Sequence, residues 1–140
     1  MDYDSHNPFA RILRGELPCV KVYEDAFTLA IMDIMPQAEG HVLVLPKEPA
    51  AELFDLSDEA AAACIRTTKK IAAAVKAAME APGIMVAQLN GSAAGQTVPH
   101  VHFHIIPREQ AAALKPHAAV AADAEQLRAL AERIIAALPT

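Results

Sequence analysis

The chain is predicted to be an α+β domain, with an antiparallel sheet of about five strands, one long helix against it and a second helix at the C-terminus. Three observations lead there. Short apolar and β-branched runs follow one another closely between residues 20 and 47, the stretch from Ser57 to Glu80 carries apolar residues at spacings of three and four, and a capped periodic segment begins at Asp123. In order along the chain, "NPFARILRGEL" offers Asn7 as an N-cap, Pro8 at the first helical position and Gly15 as a stop, which makes a short helix. "VKVYED" and "FTLAIMDI" read as strands joined by a tight turn at Glu24 and Asp25; "GHVLVLPK" is a third, ended by Pro46, and the three suggest a meander. Ser57 caps the long helix, Asp58 and Glu59 sit where the helix dipole favours acids, and Cys64, Ile65, Thr68, Ile71, Ala72, Val75 and Met79 recur on one face until Pro82 and Gly83 end it. "GIMVAQLN" and "VHFHIIP" are two more strands, separated by "GSAAGQTVP". The last helix starts at Asp123, with Gln126 placed for a capping box and Leu127, Leu130, Ile134, Ile135 and Leu138 along one face. "REQAAALKPHAAVAA" fits no element. The chain is read as a single domain over residues 1–140, with a motif-bearing core at 7–108 and the C-terminal helix at about 123–138.

Bulk properties exclude several classes. At 54 % hydrophobic and 21 % charged residues the composition is that of a globular protein. The formal charge is −5 and no basic block occurs, so the electrostatic footprint of a nucleic-acid binder is missing and any bound phosphate must be held locally. No apolar run is long enough to cross a bilayer, and "MDYDSHNPF" is unlike a signal peptide. Cys19 and Cys64 are far apart and read as reduced thiols of a cytoplasmic protein.

The chemistry concentrates in "PHVHFHIIP". On a strand, His100, His102 and His104 project from one face while Val101, Phe103 and Ile105 face the other, because side chains alternate. A half-exposed strand that happens to use histidine is one reading, although exposed strand faces usually take Thr, Lys or Glu. A metal site is another, since His-x-His offers two nitrogens to one ion. Side chains two apart on a strand are spread over about 7 Å, however, so three ligands would need a sharp bulge, and no carboxylate is supplied nearby. A nucleophile with its supporting shell is the third.

Read together, "AAGQTVPHVHFHIIPR", "PQAEGHVLVLPKE" and "FARILRGELPCVKVYED" resemble the histidine-triad nucleotide-binding family, in its bacterial branch, over residues 7–108. The resemblance implies a hydrolase or nucleotidyl transferase acting at the α-phosphorus of purine nucleotides. In it the middle histidine, here His102, attacks phosphorus and forms a nucleotidyl-histidine intermediate. A neutral imidazole is a good nucleophile at pH 7, provided its other nitrogen keeps a proton and is held by an acceptor. His104 is then placed to donate to a phosphate oxygen, His100 either assists the leaving group or holds the neighbouring shell, and His41 packs behind the triad. "GSAAGQTVP" can bring backbone N–H groups, the Thr97 hydroxyl and the Gln96 amide to the phosphate, with Gly91 and Gly95 suiting close approach. Asp33 matches the family's acceptor for the ribose hydroxyls; Phe9, Ile12, Leu17, Ile31 and Ile34 match positions that sandwich the base. Asn90 is a weaker phosphate contact, because relatives often carry Asn-Asn-Gly where this chain has Leu89, Asn90 and Gly91.

The substrate so implied is a nucleoside phosphoramidate of the adenosine monophosphate amide type, with dinucleoside polyphosphates as the rival and a nucleotide-binding regulatory role as a third reading. No cofactor is called for. Many bacterial members hold a structural zinc with a Cys-x-x-Cys pair, a His after "PKE" and the first triad histidine; the matching positions here are Asn7, Ala10, Pro49 and His100, so no metal is expected. Members of this branch pair as two-fold homodimers, which the alanine-rich long helix permits.

Overall fold

The computed structural model describes residues 3–110, 114 and 120–139. Much of the unassigned stretch "REQAAALKPHAAVAA", residues 111–113 and 115–119, lies outside the described residues. The elements follow in the order α1 (Pro8–Leu13), β1 (Lys21–Glu24), β2 (Thr28–Met32), β3 (Val42–Pro46), α2 (Asp58–Met79), β4 (Gly83–Gln88), β5 (Phe103–Arg108) and α3 (Ala124–Ala136), with short 3-10 turns at Leu53–Asp55 and Ser92–Ala94. The five strands form one sheet in the order β1-β2-β3-β5-β4, every pairing antiparallel. The meander is β1-β2-β3, and β5 inserts between β3 and β4.

Capping residues act where the sequence places them. Asn7 Oδ1 accepts the Ala10 N–H at 2.9 Å, and Ser57 Oγ accepts the Ala60 N–H at 3.1 Å. The Ser57 N–H and hydroxyl both donate to Glu48, at 2.7 and 2.8 Å, which ties the start of α2 to the end of the meander. Asp25 holds the β1–β2 turn by accepting from the Phe27 and Thr28 N–H groups, both at 2.8 Å.

Some boundaries differ from expectation. The last strand begins at Phe103 and runs to Arg108, so His100 to His102 approach it as an irregular lead-in. α2 stops at Met79 on a left-handed Glu80 (φ 49°), and Gly83 opens β4 instead of closing the helix. Ile65, expected inside, is 54 % exposed, because Ala60, Ala63, Thr67 and Ala74 widen the buried face and turn it away. Ile135 likewise lies at the exposed edge of α3. The capping box at α3 is half formed: Asp123 accepts the Gln126 N–H at 3.2 Å, but the Gln126 side chain reaches Glu39 at 2.9 Å.

The sheet is covered on both faces. β2 and β3 are buried at every position, and their residues divide by alternation. Ala30, Met32, Val42 and Val44 join Phe103, Ile105 and the inner faces of α2 and α3; Leu29, Ile31, Leu43 and Leu45 pack on the opposite face with Phe9 from α1. Thr67 on α2 and Thr28 on β2 share a hydrogen bond of 2.7 Å across the first layer. Ile71, fully buried in that layer, is the expected weak point: Ile71→Ala should cost about 2–5 kcal/mol in urea unfolding, whereas Ile135→Ala, at the exposed edge of α3, should cost under about 1 kcal/mol.

Candidate active site

The face opposite α2 carries the site. His104 sits in β5, opposite Leu43 of β3 and Ala87 of β4, so its side chain leaves the sheet on the Phe9 side while Phe103 and Ile105 enter the main core. All three triad rings and His41 are buried. Buried imidazoles must have both nitrogens accounted for, and this fixes their protonation pattern.

A carbonyl oxygen only accepts. The His102 Nδ1 lies 2.7 Å from the His100 carbonyl, so Nδ1 carries the proton and the Nε2 of the neutral ring is a lone pair. His100 Nε2 lies 2.8 Å from the Pro46 carbonyl and therefore donates; its Nδ1 then accepts from the Tyr3 hydroxyl at 2.6 Å. At the other end, the Gln37 N–H donates to His41 Nδ1 at 3.1 Å, which puts the His41 proton on Nε2. That nitrogen is 2.9 Å from His104 Nδ1 and 3.5 Å from Asp33 Oδ2. His104 thus accepts on Nδ1, and its neutral ring carries its proton on Nε2. The result is a pair of neighbouring rings, centroids 4.8 Å apart, one presenting a lone pair and the other an N–H. The Phe9 ring meets His102 edge-on at 4.9 Å.

Both rings line a cavity of about 390 Å³, within the range of small-molecule sites. Its apolar side is made by Phe9, Ile12, Leu17, Ile31 and Ile34; Asp33 and Thr97 join the histidines on the polar side. Nine of the residues singled out in the sequence therefore come together around one space. Asp33 is partly committed, its Oδ1 accepting the Met35 N–H at 2.8 Å in a local turn. Pro8, Pro18, Cys19, Met32, Met35, Leu43 and Val98 complete the wall and were not singled out. The strand alternation in "HVLVLP" puts Leu43 on the His104 face, and that signal was available; nothing comparable marks Val98 or Pro18.

The remaining candidates lie outside the lining. Gln96, expected to present its amide to a phosphate, spends both ends on the loop: Oε1 accepts the Gly91 N–H at 2.7 Å, and Nε2 donates to the carbonyls of Ala51 at 2.7 Å and Val98 at 2.9 Å. It pins the stretch 91–98, in which Gly91 and Gly95 take positive φ (89° and 100°), and so sets Thr97 at the cavity rim. The Gly95 and Gln96 N–H groups close the local turn onto Ser92 and Gly91. Asn90 accepts the Leu53 N–H at 2.7 Å and exchanges amide hydrogen bonds with Gln88, joining the end of β4 to the 3-10 turn. His41 stands behind His104, and His100 is sealed away.

Burial pushes His100 well below the ordinary histidine range, from 6.5 to about 4, since an imidazolium there would lose its hydration. Between those values the unfolded chain binds a proton that the folded chain refuses, so stability falls as pH drops from 6.5 to about 4. The expected loss is about 3 kcal/mol. Urea unfolding between pH 7.5 and 4 should show this slope in the native sequence and a shallower one in His100→Asn; equal slopes would remove the claim. Burial also raises the Cys19 thiol, which lines the cavity, and pushes Cys64 up to about 12.

An α+β domain that holds four buried, tautomer-fixed histidines beside an apolar cleft and beneath a glycine-containing loop belongs to the class of histidine-triad folds. The chain belongs to the HIT domain family, whose model matches residues 14–111. Over 100 residues it is 46 % identical to the adenosine 5'-monophosphoramidase of Schizosaccharomyces pombe, covering 71 % of this chain and 72 % of that protein. Among solved structures, it is similar to a Hit-like protein involved in cell-cycle regulation from Bartonella henselae, solved with an unknown ligand (TM-score 0.94, 47 % identity, 99 % of this chain and 100 % of that one). It is also similar to a Zn-bound histidine triad family protein from Mycobacterium smegmatis (TM-score 0.79, 32 % identity, 92 % of this chain and 90 % of that one).

The residues here do not fit the structural zinc expected of zinc-bearing members. Ala10 and Pro49 have no ligating side chain, Asn7 caps α1, and both nitrogens of His100 are engaged by Pro46 and Tyr3. Contrary to the expectation that no carboxylate lies near the histidines, Asp33, His41 and His104 bring one ligand atom each within 4.8 Å of one another; His41 Nε2 is hydrogen-bonded to His104 Nδ1 at 2.9 Å.

Proposed function

We propose that the protein hydrolyses purine nucleotides that carry a replaceable group on the α-phosphate, with a nucleoside 5'-phosphoramidate as substrate. The observation that carries this reading is the lone pair of His102 Nε2, created by the 2.7 Å hydrogen bond from Nδ1–H to the His100 carbonyl, beside a cavity able to take a base and ribose. The phosphoramidase name of the yeast relative supports the substrate class.

In the first step the His102 Nε2 lone pair forms a bond to the α-phosphorus as the P–N bond to the leaving amine breaks, and the amine departs with a proton taken from solvent water. His104, with its proton on Nε2, donates to a phosphate oxygen, while Thr97 at the rim adds a neutral donor. Water then attacks phosphorus and gives up a proton to solvent, the P–N bond to His102 breaks with its electron pair returning to Nε2, and nucleoside monophosphate leaves. Asp33 accepts from the ribose hydroxyls, and the base lies between Phe9, Ile12, Leu17, Ile31 and Ile34. His41 holds His104 in its tautomer. Of the two roles open to His100, support of the neighbouring peptide agrees with a ring whose nitrogens both face protein groups. Gln96, Gly95 and Asn90 act through the loop's shape.

The mechanism as proposed needs no metal ion, so chelation should leave the rate unchanged. Adenosine 5'-phosphoramidate and a diadenosine polyphosphate compared side by side decide the substrate class: faster turnover of the phosphoramidate is expected, and preference for the polyphosphate overturns it. Normal AMP binding without turnover of either would mark a regulatory nucleotide-binding protein.

The chain is further proposed to pair two-fold. Among the described residues β4 is an edge strand, its Val86 is 48 % exposed, and Ile65 projects from α2. Light scattering should give twice the chain mass, and Val86→Lys with Ile65→Lys should halve it. No helix among the described residues is long and apolar enough to cross a membrane.

A further inference from the structure

His102 owes its tautomer to one carbonyl, that of His100; the peptide bearing it is held by the Val101 N–H, which donates to the Ala50 carbonyl at 2.9 Å, and by the His100 ring beside it. The His100 ring is fully buried and neutral, with one nitrogen donating to Pro46 and the other, Nδ1, a lone pair in need of a donor. Tyr3 supplies that donor from outside the sheet, at 2.6 Å, with its ring set edge-to-face on the imidazole at 5.7 Å.

The N-terminal segment is built to hold the phenol there. The Asp4 carbonyl accepts from both the backbone N–H and the side-chain amide of Asn7, at 3.2 and 2.7 Å. The Asp4 carboxylate accepts the His6 N–H at 2.9 Å, and Arg14 at the far end of α1 donates to the Ser5 carbonyl at 2.8 Å. Residues 3–7 thus form a hook fastened to α1, the same helix whose Phe9 ring rests on His102.

We propose that Tyr3 is a positioning residue of the active site, its hydroxyl acting with the Pro46 carbonyl to hold the His100 ring in one orientation and in its Nε2–H form, and so steadying the carbonyl that fixes the His102 tautomer. The role rests on the reading of His102 as nucleophile. It is also specific to the hydroxyl: loss of this donor leaves the buried Nδ1 lone pair unmet, so a turned or tautomer-exchanged ring competes with the one that donates to Pro46 and loosens the packing beside the His100 carbonyl.

Tyr3→Phe keeps the ring and removes the donor; Tyr3→Ala removes both. With histidine labelled by ¹⁵N at pH 7, the native protein should show His100 wholly as the Nε2–H form and His102 wholly as the Nδ1–H form. Both variants should show mixed forms at His100. Turnover of adenosine 5'-phosphoramidate should fall about tenfold in kcat for both, with AMP affinity changed less than about twofold. A Tyr3→Phe protein with native kcat and a native His100 spectrum overturns the proposal, and if Tyr3→Ala alone is impaired the ring's packing is what matters. If the native protein turns over no phosphoramidate, the reading of His102 fails, while the His100 spectra still decide whether Tyr3 sets its tautomer.

Discussion

His102→Ala should lose at least about 10³-fold in phosphoramidate turnover while binding AMP within about threefold of the native protein. The size of the loss follows from the role: without the imidazole no covalent path exists, and water would have to attack phosphorus directly, with only the neutral donors around the cavity to help. The asymmetry between rate and binding follows from the architecture. His102 is one polar group on the wall of a cavity whose other side is apolar and belongs to α1, β2 and the turn after β2. Those surfaces stay when the ring is removed. Phe9, which rests against His102, gains space, so a modest fall in thermal stability should accompany the change. Single-turnover kinetics and calorimetric AMP titration check both halves; a variant that keeps most of its rate removes His102 from the mechanism.

The second large effect is expected at a residue that does not line the cavity. His41→Ala should lower kcat about 10²-fold with AMP affinity within about threefold. His104 is held in its Nε2–H form because His41 donates to its Nδ1 at 2.9 Å, and His41 can donate only because the Gln37 N–H occupies its own Nδ1 at 3.1 Å. Removing this link leaves His104 able to put its proton on either nitrogen, and half of the outcome withdraws the donor from the phosphate. Asp33, 3.5 Å from the His41 nitrogen, loses its neighbour at the same time. Histidine ¹⁵N spectra should show His104 in two forms in the variant and one in the native protein. Native kcat in a folded His41→Ala would show that the relay has no catalytic role.

Much of this was legible in the residues. Alternation alone places Phe103 and Ile105 opposite His104, and the N-caps Asn7, Ser57 and Asp123 announce three helices because each supplies an acceptor to otherwise unpaired N–H groups. The resemblance supplied the grouping of Phe9, Ile12, Leu17, Ile31, Asp33 and Ile34, which no local pattern connects, and the cavity brings these six together. What escaped was the destination of amides and phenols. Gln96, Asn90 and Gln126 each have partners far along the chain, and nothing in their neighbours tells whether an amide will face a ligand or fasten a loop. Tyr3 escaped for the same reason, its partner lying 97 residues away. Ile65 escaped because alanine blurs the helical face: Ala60, Ala63 and Ala74 bury as well as larger residues do, and they rotate the inner surface of α2 away from it.

The central claim is a transient bond between position 102 and a nucleoside monophosphate. Mixing the protein with a slowly hydrolysed adenosine phosphoramidate, quenching in alkali and mapping the peptides by mass spectrometry tests it directly. An acid-labile adenylyl group on the peptide that contains His102, lost in His102→Ala and formed and consumed at rates compatible with turnover, is the predicted result. Full turnover with no such adduct, or with the group on another residue, would contradict it.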